Sequence, residues 1–188
     1  MKTLVRSYSD RDLFQVARIH AETFPRQGRS HEWISCNVKA HPRVRCYVSE
    51  FDGEISGYIM WIEKGGFRAR VVLELEQIAV RAKCRNRGIG ADLIERSLAD
   101  INIDIASRGR ELGVVMVTTR ADNHAQQLYR KTLGAEVATV IPSLYSSDEI
   151  VMVARNPLRA KPAFNHSLLD PDKIVMQRQE YSNRYDNP

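Results

Sequence analysis

"QIAVRAKCRNRGIGADLIERSL", residues 77–98, decides how the rest of the chain is read. It begins as the end of an apolar strand, RVVLELEQIAV (70–80), and continues through a basic loop into a helix. Arg81, Lys83, Arg85 and Arg87 put four cations into seven residues, directly ahead of Gly88 and Gly90. Behind the glycines, Ile94, Leu98, Ile101 and Ile105 step by 4, 3 and 4, the stripe of a helix with one buried face. GVVMVTT (113–119) follows as a continuous apolar run, the mark of a strand covered on both faces. Residues 70–119 therefore predict strand, loop, helix over 88–106 and strand: one βαβ unit with a right-handed crossover.

The spacing of the glycines sorts the possible phosphate cradles. A P-loop requires Gly-x-x-x-x-Gly-Lys-Ser/Thr, which is absent from the sequence. A dinucleotide fingerprint requires a third glycine where Leu93 stands and a shorter gap after Val80. Arg85-Asn86-Arg87-Gly88-Ile89-Gly90 fits a third pattern, Arg/Gln-x-x-Gly-x-Gly/Ala at the start of a helix. Consecutive free N–H groups and the positive end of the helix dipole make an anion site there. Bare glycine lets a pyrophosphate come close.

Outward from this unit the chain reads as mostly antiparallel. TLVRSY (3–8) is a short strand, and Ser9-Asp10 caps a helix with Leu13, Val16, Ala17, His20 and Phe24 on one face. His20 on that face is expected to be a packed, satisfied side chain and not a ligand. A loop and a short helix near residues 31–38 follow. RCYVSEF (45–51) and EISGYIMWI (54–62) form a hairpin about Asp52-Gly53, with a second turn at 64–66. Asp122 or Asn123 caps a helix carrying Ala125, Leu128 and Tyr129 on one side, and Gly134 ends it. EVATVI (136–141) and EIVMVA (149–154) close the domain as an antiparallel pair. The expected organisation is one domain over 1–155 and a polar tail over 156–188, where Asp170-Pro171 could open a short helix.

Composition narrows the class. The chain has 188 residues, 43% of them hydrophobic and 27% charged, ordinary values for a soluble globular domain. Neither a membrane-length apolar run nor a signal-peptide core is present in the sequence, so the expected location is cytoplasmic and no membrane partner is expected. Cys36, Cys46 and Cys84 make neither a disulfide framework nor a zinc set, and no metal is expected. Cys84 has no evident His or acid partner and reads as incidental. The net charge of +5 permits a phosphorylated ligand or nucleic acid. Without aromatic interleaving or a helix-turn-helix pattern, nucleic acid is the less expected partner.

Together these features resemble the GNAT superfamily of acyl-CoA-dependent N-acyltransferases. The resemblance covers roughly 3–154 and is most specific over 72–134, where residues 77–98 look like the pyrophosphate loop and "ADNHAQQLYRKTLGAE" (121–136) looks like the family's next motif. It implies an α+β fold with a central, mostly antiparallel mixed sheet, one βαβ pyrophosphate-binding unit and flanking helices. It implies acetyl-CoA as acyl donor, bound through Ile78, Ala79 and Val80, through Arg85, Asn86, Arg87, Gly88, Ile89 and Gly90, and through Asp122, Asn123 and Ala125. The strands are expected to splay after 80 and 119 to admit the thioester. Aligning on Tyr129 sets Asp122 at the motif's asparagine and leaves one extra residue before Gly134; aligning on Gly134 selects Asn123 and Arg130 instead.

Direct acyl transfer requires a neutral amine, a polarised carbonyl and a protonated leaving thiolate. Alternation along 70–80 puts Glu74, Glu76, Ile78 and Val80 on one face, with Glu76 the expected base and Glu74 the alternative. Tyr129 is the expected acid, and the amide near Val80 the expected oxyanion donor. The expected activity is acetylation of a primary amine on a small molecule or protein, in a monomer or homodimer. Acetylation of aminoacyl-tRNA, and an acyl-CoA- or nucleic-acid-binding module without catalysis, are the alternatives.

Overall fold

A computed structural model describes residues 3–157. Seven strands form a single mixed sheet: β1 (Leu4–Ser7), β2 (Val44–Phe51), β3 (Glu54–Lys64), β4 (Arg70–Val80), β5 (Glu111–Arg120), β6 (Glu136–Ile141) and β7 (Glu149–Arg155). Their order across the sheet is β1-β2-β3-β4-β5-β7-β6. Only β4 and β5 run parallel; every other neighbouring pair is antiparallel. The α+β reading and the single βαβ unit therefore hold, and the tail expected over 156–188, with its short helix, lies outside the described residues from 158 onward.

Helices cover both faces. On one lie α1 (Leu13–Thr23) and α2 (Ser30–Val38); on the other lie α3 (Ile89–Ser107) and α4 (Ala125–Leu133). The predicted stripe of α3 is buried as a row, with Ile94, Ile101 and Ile105 at 0% exposure and Leu98 at 3%. Each such side chain contributes about 1.5–3 kcal/mol relative to leaving it in water. The row packs against Ile59, Trp61, Leu73 and Leu75 of the sheet. Trp61 is fully buried, and its indole N–H is donated to Ser97 Oγ of α3 at 2.8 Å, so the largest core side chain brings no orphaned donor. The opposite core gathers Val16, Ile19 and Ile34 against Val48, Tyr58 and Met60.

The turns follow their chemistry. Asp52 (φ 52°) and Gly53 (φ 73°) both take the left-handed conformation that a primed two-residue hairpin turn requires. Ser9 opens the first helical segment in a capping box with Asp12, which begins as a short 3-10 turn at 10–12. At the far edge, β6 is exposed almost throughout, including Val137 and Val140. None of the described helices is long and apolar enough to cross a membrane.

One irregularity controls what β4 presents. Trp61 pairs with Leu75 and Met60 with Gln77, so Glu76 is an extra residue in a β-bulge. Before the bulge, Leu73 and Leu75 face α3 while Glu74 lies beside Ile62 on the α1 side. After it, Ile78 and Val80 face α3, and Gln77 and Ala79 face α1. The expectation that Glu74, Glu76, Ile78 and Val80 share a face is therefore corrected. Uninterrupted alternation would have placed them together; the inserted residue reverses it.

Beside this strand, Gly57 of β3 sits where a Cβ would lie 2.6 Å from the carbonyl oxygen of Ala79. The obstacle is backbone, so it cannot turn aside. Gly57→Ala is expected to destabilise the protein by about 1–3 kcal/mol, read from the denaturant midpoint at unchanged m-value.

Candidate active site

The parallel pair β4–β5 is in register from Arg70–Glu111 to Leu75–Val117 and then parts. Beyond that point β4 stays bound to β3 through Val80, while β5 stays bound to β7 through Arg120. The result is a wedge-shaped gap between two supported strands. It opens earlier than the expected 80 and 119, because the bulge at Glu76 turns the last part of β4 away.

The rim on the β4 side is an unpaired strand edge. Arg81 donates its N–H to Ser56 on the β3 side, and Ala79 O lies against Gly57. Alternation then turns the N–H and C=O groups of Ile78 and Val80 into the gap. Of the three residues expected to hold the coenzyme arm, Ala79 directs its backbone to β3 instead.

At the top of the gap stands the glycine loop. Gly88 has φ 80° and Asn86 has φ 60°, and α3 starts at Ile89. The first helical amide to find a carbonyl is Asp92, bonded to Gly88 at 3.0 Å. Before it, the backbone N–H groups of residues 86–91 have no hydrogen-bond partner among the described residues. Six successive donors at the positive end of a helix form a cradle for an extended anion. The two glycines serve it differently. A Cβ on Gly88 would meet nothing within 4 Å, so glycine is needed there for its backbone conformation. A Cβ on Gly90 would come 3.2 Å from Leu128 Cδ2, so that glycine lets α4 close onto the loop. Ile89 is 2% exposed and offers the ligand only its amide.

The four cations divide. Glu54 takes both Arg81, at 3.1 Å, and Lys83, at 3.2 Å. Arg85 donates Nε–H to Val80 O at 3.0 Å, across the β4 rim, and Arg87 lies over the Phe51 ring at 5.8 Å. The latter two are the cations nearest the cradle in sequence. Cys84 is buried in the core, as its lack of catalytic partners suggested.

On the α3–α4 side of the gap, Tyr129 is 5% exposed and packs in the same core as Leu75. Its hydroxyl has no hydrogen-bond partner among the described residues, and burial raises its pKa to about 12. Ala125 and Leu128 pack beside it, as predicted. The turn into α4 is organised by Asn123, whose Nδ2 donates to Thr119 Oγ1 at 2.8 Å and whose Oδ1 accepts the Ala125 N–H at 2.9 Å. Asp122 is turned outward to Arg120. Asn123 thus performs the capping while Tyr129 remains the inward tyrosine, so neither simple alignment of the motif describes both residues.

On the opposite face, Glu76 has Glu74, Lys64 and Arg43 as its charged neighbours. Burial pushes its carboxyl above the ordinary carboxylate range, and the nearby Glu74 adds to the shift. Glu74 itself is bound to Lys64 at 2.7 Å, which makes it the less available base. The bulge itself had no sequence signal; Glu149, at the start of β7, is buried at 6% exposure, and its carboxyl is likewise raised chiefly by burial.

The acetyltransferase (GNAT) family matches residues 11–135, two-thirds of the chain. The chain belongs to the GNAT family. Solved structures share this GNAT protein's fold. Aminoglycoside 6′-N-acetyltransferase complexed with coenzyme A aligns over 85% of the chain and 99% of its own, with TM-score 0.65 and 17% identity. The ribosomal-protein-S18-alanine N-acetyltransferase of Escherichia coli aligns over 87% and 100%, at TM-score 0.63 and 18% identity. Arabidopsis thaliana NAA60 in complex with acetyl-CoA aligns over 82% and 98%, at TM-score 0.66 and 17% identity. No curated protein sequence gives a match.

The raised Glu76 carboxyl has a consequence for stability. The folded state holds this proton more tightly than the unfolded chain, whose carboxyl titrates near pH ~4.3. Its stabilising contribution is complete below that pH and is lost as pH rises through the folded value. Glu76→Gln is therefore expected to raise Tm at pH 7, with the gain shrinking as the pH approaches 4. An equal Tm difference at both pH values would contradict the assignment.

Proposed function

We propose that the protein transfers an acetyl group from acetyl-CoA directly to a primary amine of a small molecule or protein. The carrying observation is the gap between β4 and β5, with an amide cradle at its mouth and titratable groups on its two faces. The pyrophosphate of the coenzyme lies in the cradle of residues 86–91, with Arg85 and Arg87 beside it. Arg85 leaves Val80 O when the pantetheine arm pairs with the β4 rim at Ile78 and Val80. An extended ligand added to an unpaired strand edge gains main-chain hydrogen bonds of the kind that β5 no longer supplies. The thioester then enters the gap from the Tyr129 side, and the amine reaches it from the Glu76 side.

Each group has a role that its environment supports. A carboxylate with a raised pKa is a stronger base than an ordinary one, and Glu76 takes the proton of the attacking ammonium directly or through a water. The rim N–H of Ile78 or Val80 stabilises the oxyanion. Tyr129 is protonated throughout the neutral range and donates to the departing sulfur. With a phenol near 12 and a thiol near 8.5, complete proton transfer is uphill by about 5 kcal/mol. Tyr129 therefore acts as a hydrogen-bond donor while the C–S bond breaks, and the thiolate takes its proton from solvent as it leaves. The grip of Glu54 on Arg81 and Lys83 withdraws half of the basic cluster from any nucleic-acid surface.

The test is free-thiol release from acetyl-CoA across a panel of primary amines and peptides with free amino termini. Tyr129→Phe is expected to leave coenzyme affinity unchanged and lower kcat by about 10²-fold, less with an acyl donor whose thiol is more acidic. Wild-type kcat in that variant under rate-limiting chemistry would remove the role. Gly88→Ala keeps open space around its Cβ but forces an alanine to φ 80°, so coenzyme Kd is expected to rise about tenfold at roughly 1–2 kcal/mol of conformational cost. The pH profile of kcat/KM should rise through the carboxyl of Glu76, at a value above the ordinary glutamate range.

A further inference from the structure

A network of polar side chains, three of them buried, meets at Gln77, the residue that follows the bulge. Gln77 is 6% exposed, and His20 and Tyr58 are fully buried. Tyr58 donates its hydroxyl to Gln77 Oε1 at 3.0 Å, and Trp33 donates Nε1–H to the same oxygen at 3.2 Å. Indole is a donor only, so this end of the Gln77 amide is its oxygen. The other end is the NH2, which donates to Gln27 Oε1 at 3.1 Å. The same Gln27 oxygen lies 3.0 Å from His20 Nε2, which must therefore carry a proton. His20 Nδ1 lies 2.9 Å from Ser30 Oγ and accepts that hydroxyl. The 3.3 Å approach of Gln77 Nε2 to His20 Nε2 is then two donors converging on one acceptor, not a bond. His20 is neutral, in the Nε2–H tautomer, and burial lowers its pKa accordingly.

The chain positions of these groups matter more than their number. His20 belongs to α1, Ser30 and Trp33 to α2, Tyr58 to β3 and Gln77 to β4. Gln27 belongs to the connection between α1 and α2, residues 24–29, and is otherwise exposed. Within that connection the Gln27 N–H bonds to Phe24 O at 2.9 Å, and its ends are joined to the helices by Phe24 N–H to His20 O at 2.8 Å and Trp33 N–H to Arg29 O at 2.9 Å. Its neighbour Arg26 reaches the loop between β6 and β7, donating Nη1–H to Ser146 Oγ at 2.9 Å. The 24–29 segment thus spans from the strand that carries Glu76 to the loop leading into β7. Its inner attachment is the Gln77 amide.

We propose that Gln77 is a positioning residue for the acceptor: it holds the 24–29 segment in register with Glu76, so that an amine seated beneath the segment arrives at the carboxylate. This rests on the reading of the Glu76 side of the gap as the acceptor side. Gln77 touches neither substrate. It acts through Gln27, and the adjacency of Gln77 to the bulge puts the base and the anchor of the loop above it at neighbouring strand positions.

Three variants test it. Gln77→Leu removes the junction. Gln27→Ala detaches the segment by a change at an exposed residue and keeps the test open if Gln77→Leu fails to fold. Gln77→Glu preserves the acceptor for Tyr58 and Trp33 and presents a second oxygen to Gln27. The Gln27 amide then turns over, its NH2 faces His20, and His20 must accept at Nε2 and donate from Nδ1 to Ser30. Imidazole 15N spectra should therefore show the Nε2–H tautomer in the wild type and Nδ1–H in Gln77→Glu. Amide deuterium exchange over 24–30 should quicken in Gln77→Leu and Gln27→Ala, and return to the wild-type rate in Gln77→Glu. With acetyl-CoA and an amine accepted from the panel, both loosening variants should raise amine KM about tenfold, the loss of one buried hydrogen bond. Coenzyme A Kd by calorimetry should stay constant, and Gln77→Glu should recover KM to within about threefold. A cationic or Nδ1–H wild-type His20, unchanged exchange over 24–30, or a loss falling on coenzyme affinity would overturn the proposal. Failure of the acetyl-transfer reading looks different: the wild type binds no coenzyme A and releases no thiol, while the tautomer and exchange results still judge the junction.

Discussion

Above the Leu75–Val117 pair, backbone groups of β4 and β5 that would ordinarily bond each other face an open wedge. Leaving such groups unpaired costs on the order of 1–3 kcal/mol for each one removed from water, so a closed gap of this kind would not persist. It persists here because each lip is held from behind, β4 by β3 and β5 by β7, and because the space between stays wet or takes a ligand. The position of almost every other functional group follows from where the parting occurs. The glycine loop crowns the β4 lip, α4 leaves from the β5 lip, and the carboxylate sits at the foot of the wedge.

The two faces of the sheet then acquire different chemistry. Tyr129 is desolvated among aliphatic side chains and keeps its proton far above neutrality. Glu76 is desolvated beside another acid and holds its proton more tightly than a free glutamate. Burial thus shifts both groups in the same direction, yet under the proposed transfer it suits one to donate and the other to accept. A phenol that never ionises remains a donor, and a carboxylate made more basic becomes a better sink for an ammonium proton. Because the sheet lies between them, the two need not exchange protons with each other in an unproductive pair.

Much of this was legible along the chain, and the reason is local. The α3 stripe, the Asp52-Gly53 turn and the Arg85–Gly90 cradle are set by residues within a few positions of one another, so periodicity and turn chemistry reveal them. The bulge was not legible. Nothing in RVVLELEQIAV distinguishes an eleven-residue strand from one carrying an extra residue, because the mismatch arises only against Met60 and Trp61 of β3. The Gln77 junction was hidden for the same reason, since its partners lie 19 to 50 positions away. His20 was read as satisfied, and it is, but its partners Gln27 and Ser30 sit in a segment whose path the sequence leaves open. The choice between Asp122 and Asn123 is the exception, since it turned on a local bond, from Asn123 to Thr119 four positions back, that either residue type could make.

The bulge bears, finally, on which changes in chain length β4 can tolerate. Substituting Glu76 alters one side chain, whereas deleting it would remove the bulge and join Leu75 to Gln77 in strict alternation, with every residue beyond keeping its present face. Ile78 and Val80 would stay towards α3 and Gln77 with Ala79 towards α1, and what would be lost is the local bend that parts β4 from β5. The extra residue at position 76 is thus what bends the strand end, whichever side chain it carries. Among homologues, length should therefore be more constrained than identity across this stretch.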